Sequence, residues 1–440
     1  MNNVYLHLGK YLWGNIAPIL RERGVWKRTI WAREALQGAH PDHEERARHL
    51  GPHSYRGIDP ELYDRLYPRL YQFMSMYARN NKVNQFGYSL KTIHDFVDIF
   101  NIQINYYATT FADEAIDLAV FNRAPHTGAD FIAYHVARAL GIKTLILQRN
   151  HFPGRFFHVF EHEDYGLFRT SRILENPEPM PIERQFEKDL PYVEAHKRKS
   201  LRDRARTWPE YAFLAKTWHR GNIGEAAFQY VQERKYRYWN QRLTVRKPDT
   251  SGDFVYFPLH FQPEQNTTAW GGMYDDQLLA IEQLSRKLPD GWKILVKENP
   301  LQPGFMRGKW FYERLNGIAN AELVPVETDT YELLHKCRFA ATITGTVGWE
   351  SITGGKPVLV FGPGCWYRTL PGVVFYSHDF RVEDILNTQI DHDELQEAVG
   401  QLLARCGRGE IFKRIGHPNP HLESTENHTR IADSIQRMLT

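Results

Sequence analysis

Three short stretches, HFQPEQNTT from His260, ENP from Glu298 and GTVGWE from Gly345, gather hydrogen-bonding side chains where a plain connection would need only turn formers. His260, Gln262 and Glu264 are suited to a sugar or base, with Pro263 stiffening the loop, and serve equally well as turn and capping residues. In VKENP, Lys297 offers a cation, Glu298 can pair with it, and Asn299 is held extended by Pro300 with its amide available. In the third stretch Thr344 and Thr346 supply hydroxyls, and Gly345 and Gly348 let backbone N–H groups approach phosphate oxygens. Glu350, one turn into the following helix, can accept from ribose hydroxyls or cap that helix.

These stretches share a position. Apolar, β-branched runs at Phe254 to Leu259, Lys293 to Lys297, Glu322 to Pro325, Phe339 to Thr344 and Pro357 to Phe361 predict buried parallel strands, alternating with helical segments. The pattern is that of a doubly wound sheet, in which ligands collect beyond the carboxyl ends of the strands. Each of the three stretches directly follows a strand. The segment from Phe339 to Gly362 compresses strand, small-residue loop, helix and strand into a single crossover. Helices over Asp391 to Cys406 and Ser424 to Leu439 close the chain.

The first half contains one βαβ unit, with strands at Ile116 to Phe121 and Lys143 to Leu147 and a helix over Gly128 to Leu140 that stops at Gly141. Asp59 to Arg79 and Leu90 to Phe100 carry amphipathic helical spacing. The basic run HKRKSLRDRAR, from His196 to Arg206, is either a solvated face or a patch for anionic lipid or another polyanion. A junction near residue 250 gives two domains, 1–245 and 250–440, the first with helical insertions and the second with the closing helices.

Composition excludes several classes. The 55 Lys and Arg against 52 Asp and Glu, a net charge of +3, give no overall field for nucleic acid. The 3 cysteines, Cys337, Cys365 and Cys406, lack metal-ligand spacing and argue for a reducing compartment. No stretch reads as a signal peptide or a spanning helix, so a cytoplasmic protein is expected, with any membrane contact peripheral. Walker A, GxGxxG, HExxH and GxSxG patterns are absent from the chain.

The ordered set YFPLHFQPE, WKILVKENP and TGTVGWESITGGKPVLVFG resembles the capsule polysaccharide biosynthesis family, bacterial proteins related to the β-Kdo transferases of capsule assembly. The likeness covers most of the second half and is loose in the first, where FNRAPHTGADFIAYHVARALGIKTLILQRNHFPGRFF looks like the acceptor-side unit. It implies an α/β, GT-B-like fold of two Rossmann-like domains facing across a cleft, the C-terminal one holding the nucleotide of a donor sugar. Asn299-Pro300 stands where the family often has His-Pro, which keeps a hydrogen-bond donor and removes the titratable ring.

What the resemblance implies is a cytoplasmic glycosyltransferase moving a sugar, Kdo or a related acid from a CMP-sugar, onto a surface polysaccharide or its lipid-linked precursor. It implies no cofactor beyond that co-substrate, and contact with the inner membrane or capsule assembly proteins; Lys297, Arg149 or Arg155 and the loop at Thr346 can meet the phosphate charge without a metal, in keeping with the lack of a convincing DxD-like pair. The nucleotide-sugar set is His260, Gln262, Glu264, Lys297, Asn299, Pro300, Thr344, Gly345, Thr346, Gly348 and Glu350. Asn122, Gln148, Arg149 and Arg155 follow the first-half strands as acceptor or phosphate contacts. Related transferases often carry a carboxylate where this chain has Gln148, so catalysis falls to His126, Asp130 or Glu161, with His126 first as general base. Two alternatives stay open: a GT-B-like nucleotide-sugar epimerase, and a non-catalytic assembly or export protein that keeps the fold without its acid.

Overall fold

The computed structural model describes residues 2–7, 10–32, 57–80, 92–183, 223–262, 264–300, 302, 307–412 and 421–440. The basic run at 196–206 and Pro263 lie outside them.

The chain divides into two compact units: Met1–Asp164 with Phe168–Asn176 and Leu402–Thr440, and Tyr165–Leu167 with Pro177–Gln401. Both are α/β and each is built on a six-stranded sheet, the fold class expected from the sequence. Residues 402–440 therefore belong with the N-terminal segment rather than with the strands that precede them. The cause is apolar patterning on the helix Thr425–Leu439, whose Ile431, Ala432, Ile435 and Met438 share a core with Leu12, Trp13, Ile16 and Leu20 of the helix Lys10–Glu22.

In the first unit the strands are β1 (Asn2–His7), β2 (Trp26–Trp31), β3 (Leu118–Phe121), β4 (Lys143–Arg149), β5 (Arg155–Val159) and β12 (Gly407–Arg408). They lie in the order β12-β5-β4-β3-β1-β2. β2, β1, β3 and β4 are mutually parallel, while β5 and β12 join antiparallel. The strand and helix predicted around residues 116–141 are present as β3, Ala129–Ala139 and β4, the helix stopping before Gly141 at φ 74°. The predicted helices near residues 59–100 appear as Pro60–Leu66, Leu70–Asn80 and Ile93–Asp113, the last opened by a Thr92/Asp95 capping box.

The second unit contains β6 (Phe254–Pro258), β7 (Lys293–Lys297), β8 (Ala321–Val324), β9 (Phe339–Thr342), β10 (Val358–Val360) and β11 (Val373–Phe375), all parallel, in the order β11-β10-β9-β6-β7-β8. Renumbered within the unit this is 6-5-4-1-2-3, the Rossmann order, with its switch point between β6 and β9. The strands are apolar on both faces because helices cover both: Val255, Phe257, Ile294, Val296, Phe339 and Ala341 are buried in one core with helix residues such as Leu278, Ile281, Leu284 and Leu315. Among the described residues no helix is long and apolar enough to cross a membrane.

Candidate functional site

The switch point of the second unit is closed by direct contact between the residues that leave β6 and β9. His260 Nε2 lies 3.1 Å from Thr342 Oγ1 and accepts from the Thr344 backbone N–H at 3.3 Å. Gly345 N–H donates to the same Thr342 hydroxyl at 3.1 Å, so that hydroxyl has its own proton to give to His260. Nε2 is thereby an acceptor, and the ring hydrogen sits on Nδ1. Burial, reinforced by the Arg307 guanidinium, lowers the His260 pKa to about 4 and keeps the ring neutral. The His260 backbone is held too: its N–H donates to Gln277 Oε1 at 2.7 Å, and its carbonyl accepts from Arg307 Nη2 at 2.7 Å.

Several residues expected to meet a ligand instead build this edge. Gln262 exchanges hydrogen bonds with Gln302 and donates to Asp275, and Glu264 is exposed with its carbonyl accepting from Thr268. Lys297 Nζ donates to the Thr328 carbonyl at 2.6 Å and the Thr330 hydroxyl at 2.8 Å, which ties β7 to the segment after β8. Thr344 Oγ1 donates to the Asn266 carbonyl. The glycines answer to neighbouring side chains: a Cβ on Gly345 would stand 2.8 Å from Thr342 Oγ1, and one on Gly348 would collide with the Tyr367 hydroxyl, which donates to the Gly345 carbonyl. Gly348 N–H bonds the Gly345 carbonyl rather than pointing out of the loop.

Asn299 and Pro300 stand at the end of β7, with Asn299 N–H on Glu298 Oε1 at 2.8 Å. Thr346 precedes the helix Val347–Thr353, and Glu350 is buried within it. Sequence reasoning missed Arg307, which lies in a stretch with no strand or helix period. Its side chain is buried beside Glu298, Nε 3.4 Å from Oε2, and its guanidinium covers the Phe311 ring. Burial raises the Glu298 pKa, with Arg307 opposing.

In the first unit, order 2-1-3-4 places the switch point between β1 and β3. Gly128 at φ 100° lets the chain enter the helix Ala129–Ala139 so that Asp130 accepts from the backbone N–H groups of His126, Thr127 and Phe131. Burial pushes the Asp130 pKa up, but the His126 and His7 rings in their charged form, the Arg123 guanidinium and the His126 N–H bond outweigh it and hold the pKa below its usual range. Asp130 is thus an anchor for the His126 loop. His126 Nδ1 is 2.8 Å from the Ala124 carbonyl, an acceptor only, so the neutral ring carries its lone pair on Nε2. Burial lowers the His126 pKa. Gln148 Oε1 accepts from Ala124 N–H, and Asn122 stands in the same loop. Arg149, ending β4, is exposed.

Two predicted residues stand outside this group. Glu161 pairs with Arg138 at 2.6 Å, and Arg155 bonds Glu175 and the Leu403 carbonyl, bracing β5. A cavity of about 460 Å³ at the β12 edge is bordered by Glu175, Arg408 and Arg430, whose charges are engaged in Arg408–Glu175 and Arg430–Glu426 pairs. Among the described residues no group of three or more His, Cys, Asp or Glu could hold a metal ion.

Fold and loops define a two-unit α/β protein with a parallel-sheet switch point in each unit. Residues 183–384, all within the second unit, match the family model described as capsule polysaccharide biosynthesis protein, and the resemblance read from the sequence holds there. No curated protein sequence matches the chain. Similar solved structures include KpsC of Thermosulfurimonas dismutans as a β-Kdo 2,7 transferase, at 11% identity over 91% of this chain and 90% of that one, TM-score 0.35. A β-Kdo 2,4 transferase structure of the same KpsC matches at 12% identity over 65% and 79%, TM-score 0.30. The UDP-GlcNAc 2-epimerase of Methanocaldococcus jannaschii matches at 12% identity over 91% and 98%, TM-score 0.26.

Proposed function

We propose that this protein is a glycosyltransferase of capsule or surface polysaccharide synthesis that uses a nucleotide-activated sugar, with a CMP-sugar such as CMP-Kdo as donor. The observation that carries it is the Rossmann order of the second sheet, which brings the loops after β6 and β9 together at the His260–Thr342 contact. The family match over the same unit supports it. The nucleotide lies against Asn299, Thr346 and Glu350, while His260, Gln262, Lys297 and Thr344 shape that edge.

In the first unit His126 is the general base. The acceptor hydroxyl gives its proton to Nε2 as its oxygen bonds the anomeric carbon, and the bond from that carbon to the phosphate oxygen breaks with the electron pair leaving on the nucleotide. The loop at Thr346 meets the charge on the leaving phosphate, with no metal required. The protein works in the cytoplasm at the inner membrane surface, on a polysaccharide or glycolipid acceptor.

The test is thermal denaturation of the full chain with CMP, UDP and GDP and their sugars. A ligand that binds only the native state at about 100 times its Kd stabilises by about 2.7 kcal/mol. Stabilisation by CMP supports the Kdo-like donor, UDP or GDP alone removes it, and no response to any nucleotide removes the transferase.

A further inference from the structure

The cavity at the β12 edge lies wholly within the first unit, walled by elements that take no part in the nucleotide edge. Arg430, Asp433, Ser434 and Arg437 recur at steps of three and four along the helix Thr425–Leu439 and line the cavity as one stripe. That stripe is set apart from the Ile431, Ala432, Ile435 and Met438 stripe that enters the core. Ser434 ties the helix to β12. Its hydroxyl accepts from the Arg408 N–H at 2.8 Å, with the Arg430 carbonyl at 2.9 Å and the Arg408 carbonyl at 3.3 Å open to its own proton. Cys406 lines the same cavity, and burial pushes its thiol up to about 12, so it stays neutral. What the cavity presents is charge.

The carboxylates of the wall are engaged by arginines. Glu175 accepts from Arg408 Nε at 2.5 Å and Nη2 at 2.6 Å and from Arg155 at 3.2 Å, and Arg408 foremost holds its pKa down. Asp433 pairs with Arg23 at 2.6 Å, and Glu410 receives the Gly154 N–H at 2.6 Å. The arginines of the helix are not matched in return. Arg430 pairs with Glu426 one turn back on the exposed helix surface, a kind of pair that contributes little and exchanges readily for a bound anion. Among the described residues Arg437 has no carboxylate partner and donates at 3.3 Å to the Leu174 carbonyl.

Arg430 and Arg437 stand two turns apart, about 10 Å along the helix axis. Their side chains border a volume of about 460 Å³, which is room for a small molecule rather than a lone ion.

We propose that this cavity binds a small molecule carrying two or more oxyanion groups, carboxylate or phosphate, held by Arg430 and Arg437 with Arg408 adding positive field from β12. The guanidinium fork suits both groups because it can meet either with two parallel N–H bonds. The site lies on the first unit alone and does not rest on the transferase reading.

The experiment is calorimetric titration of the full chain in about 50 mM salt, where screening is weak, with pyrophosphate, with trigalacturonate and with neutral maltotriose. At least one of the two anions is expected to bind saturably, and which one binds separates phosphate from carboxylate ligands; maltotriose is expected not to bind. Arg437→Gln is expected to weaken the anion about tenfold without moving the melting temperature, and Arg437→Lys to weaken it less. Arg381→Gln, which removes an exposed arginine of the second unit, is expected to leave the affinity unchanged. Binding of neither anion, equal affinity in Arg437→Gln and the natural sequence, maltotriose bound as tightly as trigalacturonate, or a loss in Arg381→Gln as large as that in Arg437→Gln would overturn the site.

Discussion

His260 and Thr342 are 82 residues apart, yet Nε2 and Oγ1 meet at 3.1 Å across the gap between β6 and β9. The contact fixes where the first half of the second sheet meets the second half, and three backbone or hydroxyl donors depend on it. His260→Ala leaves the Thr344 N–H and the Thr342 hydroxyl buried without their acceptor, at a cost of about 1–3 kcal/mol. Urea unfolding followed by circular dichroism is expected to show the midpoint falling with unchanged slope.

The same ring makes stability depend on acid. His260, at about 4 when folded against 6.5 when free, is buried among Gln277, Thr342 and the Arg307 guanidinium, none of which favours its charge. Its pKa is depressed by folding, so its contribution is complete above pH 6.5 and is lost as pH falls toward 4. The loss reaches about 3 kcal/mol. His158, lowered to about 4 by burial, adds in the same direction. The urea midpoint is expected to fall from neutral pH to about pH 5, and His260→Asn to flatten that fall.

Gly348 has no room for a methyl group beside Tyr367. Gly348→Ala is expected to destabilise by about 1–3 kcal/mol. Adding Tyr367→Phe removes the nearest atom but leaves the ring carbon Cζ at 2.6 Å, so the double variant recovers only part of the loss in a thermal melt.

Arg307 and Glu298 form a buried pair with imperfect geometry. Arg307→Met removes the cation beside the buried Glu298 carboxylate and one of the two side-chain donors to the His260 carbonyl, costing about 3–5 kcal/mol. Arg307→Met with Glu298→Leu is expected to be milder than the single arginine change, measured as unfolding midpoints of all three variants.

The second sheet was largely legible because parallel strands covered on both faces leave continuous apolar runs, as in Phe254–Pro258 and Phe339–Thr342. β1 and β2 were not, since NNVYLH and WKRTIW interleave polar residues and lie at an edge where one face stays partly open. Of the site, the loops were found by their place after strands, while the direction of each side chain was not. Lys297 reads as a cation at the sheet edge but turns to Thr328 and Thr330, and the buried Arg307 that supports His260 follows no periodic signal.

The most direct test is calorimetric titration of the full chain with CMP, comparing the natural sequence with Glu350→Gln after both are shown to melt alike. A nucleotide seated at the β6/β9 switch point predicts saturable binding that weakens about tenfold or more in the variant, some 1.4 kcal/mol. Equal affinity in the two proteins, or no binding of CMP, would contradict that placement.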